Sequence, residues 1–369
     1  MMPALTLSFY LARQFLVWLA ISVAVCSFVG FLGDMGETSR VASRGTDNNL
    51  LNLVGLSLLK FPNLVQEILP FAFLFGSIGY FTRLSNTHEL IVARASGLSV
   101  WQFLFPGMAI TLAIGVLMTA FWHPMAAVMA GKAKNIEKNI TYGTTNQLTV
   151  SDNGLWLRED RKQSNGNAYV IIHAPQIISS SPIILKNVSY LTFAPNGVNL
   201  ERIDAETALL AKNKWVIKNA WLVDKEGQTE KFSEIIRPTE LRPDQIQENF
   251  VPPRTVSVWK LPNFMSVARE AGFPTEEYQM YFHALLAKPL LLCAMVLIAA
   301  TFGLHFSRLG GGTRLIFMAV VAGLVLYFFT DMMKTLGAIG LLPPPLAAWA
   351  PSTIAMLIGI TLLLFQEDG

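Results

Sequence analysis

The chain has 369 residues, of which 52% are hydrophobic and 14% are charged, with a formal net charge of +3. Ordinary soluble proteins carry roughly 25% charged residues. The near-neutral balance, with no basic stripe between aromatics, sets nucleic acid aside as a partner.

Charge is unevenly spread, with 36 of the 53 formal charges lying between Lys132 and Lys288. That middle can dissolve in water, whereas the flanks need lipid. A lipid-crossing helix needs about 20 mostly apolar residues, because the hydrocarbon core is about 30 Å thick. The first such stretch is Phe15–Leu32, which has no charge and no A-x-A site after it, so it reads as a retained span and not a cleaved signal. The second, Phe61–Phe81, carries Pro62, Glu67 and Pro70. Prolines survive in lipid only where neighbours or water satisfy the freed carbonyls, which implies a helix packed in protein or lining a cavity. The loop Thr82–Gly97 follows. Asn86 with Glu89 fits a capping box, and Leu84, Leu90, Ile91 and Ala95 share one face, so a short amphipathic surface helix is expected. The third span is Leu98–Trp122, and helical character continues outward over Met125–Ile140.

From about Thr144 the pattern becomes short apolar segments between turn signals. Leu155–Leu157, Tyr169–Ile172, Ile183–Phe193, Lys214–Ile217 and Ala220–Val223 alternate with Asp152-Asn153-Gly154, Asn165-Gly166-Asn167, Pro195-Asn196-Gly197 and Glu226-Gly227. This spacing predicts an all-β sandwich, barrel or jelly roll. Pro252-Pro253 and Pro262 mark its exit, and Thr275–Leu286 leads back to the membrane. Leu285–Phe306, Leu315–Thr330 and Leu346–Phe365 complete six spans. The expected fold class is therefore membrane α-helical with six transmembrane helices and an inserted all-β, jelly-roll-like domain. Its expected parts are residues 1–124, 125–274 and 275–369, with the surface helix at 83–97.

Six spans put both termini on one side and the β domain on the other. Arg13, Arg83, Arg94, Arg308 and Arg314 fall with the termini, against Arg40, Arg44, Lys60 and Lys334 opposite. The positive-inside rule leans towards cytoplasmic termini. Cys26 and Cys293 both lie in apolar runs, and no zinc-type spacing exists, so neither a disulfide framework in the β domain nor a metal site is expected. There is no phosphate-binding G-x-x-x-x-G-K-[ST], no G-x-S-x-G and no H-E-x-x-H. No catalytic residue is assigned. Glu67, Asp331 and Lys334 are the ionisable residues expected to face a polar cavity, with Glu67–Lys60 and Asp331–Lys334 as candidate pairs.

The stretch His88-Glu89-Leu90-Ile91-Val92-Ala93-Arg94-Ala95-Ser96-Gly97, together with Phe61-Pro62, Val65-Gln66, Pro70, Trp122-His123-Pro124 and Asn153-Gly154-Leu155-Trp156, resembles the LptF/LptG permeases. The resemblance covers essentially the whole chain, and the Ala-Ser-Gly ending leans to the LptG branch, with LptF as the alternative. It implies a permease subunit of an ABC transporter that extracts lipopolysaccharide from the bacterial inner membrane and passes it to a periplasmic bridge protein. It also implies cytoplasmic termini, a periplasmic β domain, and as partners a paralogous LptF, a cytoplasmic LptB ATPase dimer and single-span LptC. ATP and Mg would sit on that ATPase, and this chain would hold no cofactor. Glu89, Leu90, Ile91 and Arg94 would form the ATPase-coupling helix. The family's lipid A contacts include lysines at two positions where this chain has none, with Asn63 at the second. Arg40, Arg44 and Lys60 are the nearest replacements for phosphate contact. A membrane receptor with a ligand-sensing β domain is a further reading, but no effector segment is evident.

Overall fold

A computed structural model describes residues 5–42, 50–87, 89, 99–142, 146–151, 154–163, 166–180, 183–194, 198–211, 214–224, 226–239, 252–270, 275–309 and 312–368. It divides into two compact units: residues 1–134, 253–261 and 276–369 form a helical unit, and residues 135–252 and 262–275 form a β unit.

The helical unit contains α1 (Leu5–Ala42), α2 (Leu50–Asn86) and α3 (Val100–Leu117). α3 runs through a π-helical turn, Met118–Trp122, into α4 (His123–Tyr142). After a 3-10 turn at Pro253–Thr255 and the short α5 (Leu261–Glu270), which belongs almost wholly to the β unit, come α6 (Glu276–Leu309), α7 (Gly312–Ala338) and α8 (Pro344–Asp368). Six stretches are long and apolar enough to cross a membrane: Ser8–Arg40, Val54–Asn86, Val100–Glu137, Glu276–Gly303, Arg314–Ala338 and Pro344–Phe365. Four of the six expected spans fall within them, and the other two, Leu98–Trp122 and Leu285–Phe306, overlap theirs and run past one end by two or three residues.

α2 and α6 are the most buried of the six, while α1, α7 and α8 keep most of their apolar surface exposed. At the centre Phe73, Leu74, Leu292, Ala294 and Met295 are wholly buried. Lipid tails are as apolar as leucine, so close packing, and not escape from water, holds such helices together. Small residues make it possible. A Cβ on Gly79 would stand 2.6 Å from the Trp18 ring, and one on Gly115 would stand 2.7 Å from Pro289 Cα. α2 continues unbroken through Pro62 and Pro70.

The β unit is one antiparallel sheet of eight strands: β1 (Asn146–Ser151), β2 (Gly154–Gln163), β3 (Gly166–Ala174), β4 (Gln176–Ser180), β5 (Ile183–Phe193), β6 (Asn199–Ala211), β7 (Lys214–Val223) and β8 (Thr229–Pro238). Neighbours are consecutive in sequence, except that β3 and β4 pair with successive halves of β5 on either side of Pro175. The segments Lys214–Ile217 and Ala220–Val223 turn out to be a single strand, β7. The hairpin after it closes through Asp224, whose carboxylate accepts from the Glu226 and Gln228 amides at 2.9 and 3.0 Å, with Gly227 at φ +80°.

One sheet face buries Leu157, Ile172, Tyr190, Ile203, Trp215 and Ile217, with Ala268 and Phe264 of α5 against it. Alternation along the strands breaks once in each of three neighbours. Lys186-Asn187, Glu206-Thr207 and Lys218-Asn219 each put two consecutive residues outside between buried ones. Asn187 and Asn219 have φ of 54° and 52°. Asparagine tolerates this left-handed region better than most residues. Register runs unshifted through all three, so the outward pairs lie side by side and make one local bend, with the apolar face inward on both sides of it.

Candidate functional site

The polar groups of the helical unit gather in two places. The first is where the segment 253–261 returns to the helices. Pro289 supplies no N–H to the Leu285 carbonyl within α6. The Thr119 hydroxyl, carried on the π-helical turn, points to that carbonyl at 3.2 Å and to the Gly115 carbonyl at 3.1 Å. The same turn leaves the Ala120 carbonyl to accept from Trp259 Nε1 at 3.0 Å. Trp122 Nε1 donates to the Pro62 carbonyl of α2 at 3.0 Å. The buried His123 has both ring nitrogens engaged. The Val258 amide donates to Nδ1 at 3.2 Å, which leaves the neutral ring's proton on Nε2, 3.0 Å from the Tyr281 hydroxyl. The Trp122-His123-Pro124 motif is thus a joint binding α2, α6 and the returning segment to the π-helical turn.

Beside this joint lies a charged cluster. Arg254 and Glu67 form an ion pair at 2.5 Å, with about half of each side chain exposed. Lys288 of α6 lies within electrostatic range of Lys334, Glu67 and Arg254, and Lys334 within range of Asp331, Glu67 and Arg254. Tyr281 and Tyr327 lie within electrostatic range of Glu67 and Arg254 as well. Three basic side chains, Arg254, Lys288 and Lys334, thus lie near two acidic ones, Glu67 and Asp331. Ionisable residues at membrane depth are retained where they face a cavity or a partner.

The second place is the far end of α2, about 30 Å along the helix from Glu67 at 1.5 Å per residue. Glu89 accepts from the Thr87 hydroxyl at 3.1 Å and from the Tyr10 hydroxyl of α1 at 3.3 Å. The Gln14 carboxamide, oriented with its oxygen towards Arg83, accepts from that guanidinium at 2.7 to 3.2 Å and donates to Tyr10 at 2.9 Å. Arg83, Gln14, Tyr10 and Glu89 therefore form one chain of hydrogen bonds from α2 to α1.

The expected site residues are distributed as follows. Leu90, Ile91 and Arg94 lie outside the described residues, as does Arg44. Residues 83–86, placed in the surface helix by sequence, are the last turn of α2, and Leu84 is buried there. Arg40 is exposed near the end of α1, and Lys60 is half-buried on α2. Glu67 pairs with Arg254, not Lys60. Asp331 and Lys334 share the cluster without closing to an ion pair. Sequence reasoning missed Arg254, Lys288, Tyr10 and Gln14. Lys288 sits inside an expected apolar span and carried a signal; Arg254, after two prolines, carried none. Among the described residues no group of three His, Cys, Asp or Glu stands close enough to hold a metal ion.

Residues 9–364 match the sequence model of the lipopolysaccharide export system permease LptF/LptG. The chain is 24% identical to the lipopolysaccharide export system permease protein LptG of Escherichia coli strain K12 over 84% of each chain. It is 20% identical to the LptG of Haemophilus influenzae over 90% of each.

Proposed function

The chain belongs to the LptF/LptG family of lipopolysaccharide export permeases, and on that footing we propose that it is the LptG-type subunit of an inner-membrane ABC transporter. The observation that carries this reading is the family match across both helical blocks and the β unit between them. The LptG names of the relatives favour LptG over LptF. In this reading the termini are cytoplasmic and the β unit is periplasmic. A paralogous LptF completes the cavity, an LptB dimer hydrolyses ATP, and LptC and a periplasmic bridge receive the lipid.

Each polar site then has a task. Glu89, with Leu90, Ile91 and Arg94, docks on the ATPase. The hydrogen bond that Glu89 accepts from Tyr10 ties it to α1, so movement of the ATPase is passed to the first span as well as the second. Arg40, Arg44 and Lys60 meet lipid phosphates near the outer ends of α1 and α2. The charge-assisted pairing of guanidinium or ammonium with phosphate supplies the chemistry.

Affinity purification in mild detergent tests the assembly: a second permease, an ATPase and bound lipopolysaccharide should co-purify. Glu89→Lys should leave the assembled complex intact but stop lipid release to the periplasmic acceptor while ATP hydrolysis continues. Unchanged release would remove Glu89 from the coupling role. A reporter placed between Asn165 and Asn167 should be active in the periplasm only.

A further inference from the structure

The outward face of the β sheet carries a line of residues that register places side by side. Trp156, His173, Ser189, Asp204, Trp221 and Lys231 are direct cross-strand partners in turn, across β2, β3, β5, β6, β7 and β8. The two indoles are 39% and 49% exposed. The Trp156 and His173 rings lie 4.2 Å apart at 34°, and Lys231 Nζ stands 5.1 Å from the Trp221 ring. Between the indoles Ser189 donates to Asp204 at 2.7 Å. Alongside runs the bend, where Asn219 donates to Glu206 at 2.8 Å. The bend and the line together enclose a depression of about 570 Å³ floored by Ser189, Asp204 and Trp221.

We propose that this line is a saccharide-binding stripe that takes a linear chain of pyranose units lying across the strands. The chemistry is specific to sugars. A pyranose has an apolar C–H face, which packs on an exposed indole, and a rim of hydroxyls, which need paired donors and acceptors. Carboxylate, carboxamide and hydroxyl side chains offer both. Recognition sites combine such apolar platforms with a few placed polar groups. Charges of both signs lie along the stripe, with Arg202 on Asp204 at 2.7 Å. The dimensions agree as well. Four strand spacings of about 4.8 Å set the two indoles about 19 Å apart, room for about four sugar units advancing one strand at a time. An acyl chain would need a continuous apolar track, which the Ser189–Asp204 centre interrupts.

Two sources supply such a chain outside a bacterial inner membrane: the sugar portion of lipopolysaccharide and the glycan strands of the cell wall. The stripe is argued from the sheet alone, so sugar binding and lipid release are read in separate assays. Isothermal titration of the detergent-purified full chain with deacylated core oligosaccharide and with chitohexaose tests it and separates the sources. At least one probe should bind saturably. Trp156→Ala and Trp221→Ala should each weaken that binding by about ten-fold, equivalent to about 1.4 kcal/mol. Ser189→Ala and Asp204→Asn should weaken it without altering the melting temperature. Trp349→Phe on α8 should leave it unchanged. If neither probe binds, or if binding survives the double replacement of Trp156 and Trp221, the stripe is only a set of cross-strand pairs and the proposal is overturned.

Discussion

Replacing Thr119 by Val tests the packing logic of the helical unit. The substitution keeps the branched shape and removes one hydroxyl. In the native protein that hydroxyl serves the Leu285 carbonyl, which Pro289 leaves without its intrahelical donor. A buried acceptor left unsatisfied costs about 1–3 kcal/mol, and no water enters a contact as close as that between Gly115 and Pro289. Thr119→Val should therefore destabilise the protein by about 1–3 kcal/mol in a detergent unfolding titration followed by tryptophan fluorescence. The decisive arm is the background Pro289→Ala. Alanine restores an N–H that can bond the Leu285 carbonyl within α6, so the Thr119 hydroxyl becomes dispensable. In that background Thr119→Val should cost no more than about 0.5 kcal/mol, giving a coupling energy in the range of about 0.5–3 kcal/mol typical of contacting residues. Equal costs in both backgrounds would refute the claim that the threonine compensates for the proline.

Asn219→Ala should lower the melting temperature, because alanine at φ 52° costs about 1–2 kcal/mol, whereas Asn219→Gly should restore most of the loss. Both variants lack the bond to Glu206, so the difference between them reads backbone strain less the extra conformational entropy that glycine loses on folding. For Glu67 and Arg254, a double-mutant cycle with Glu67→Gln and Arg254→Gln should give a coupling no larger than about 1 kcal/mol, since both side chains are half exposed. That coupling should shrink as salt rises, and a large salt-independent value would mean the pair is sealed from solvent.

The six spans were legible because composition and length decide them almost alone. The second span, flagged for Pro62, Glu67 and Pro70, proved to be a central packed helix, in line with the rule that such residues need protein neighbours. The β unit was legible from turn signals, but its bend was not. Nothing in the sequence tells an Asn that takes a left-handed conformation inside a strand from one that ends it, so β7 read as two segments at Asn219. Ionic partners were the least legible. Glu67 and Lys60 are two turns apart on one helix, and that closeness suggested a pair. The actual partner, Arg254, is 187 positions away and arrives only when the chain comes back from the β unit. The Glu89–Tyr10 contact has the same character, since it joins α1 to a residue 79 positions away.

The Thr119 hydroxyl reaching Leu285 has a mechanical corollary. A helix that lacks one of its own rungs, and is propped there by its neighbour, cannot slip past that neighbour by a turn without losing the prop. The π-helical turn after α3 is therefore pinned to α6 at this point, and α2 is held to the same turn through Trp122, so three helices share one anchor.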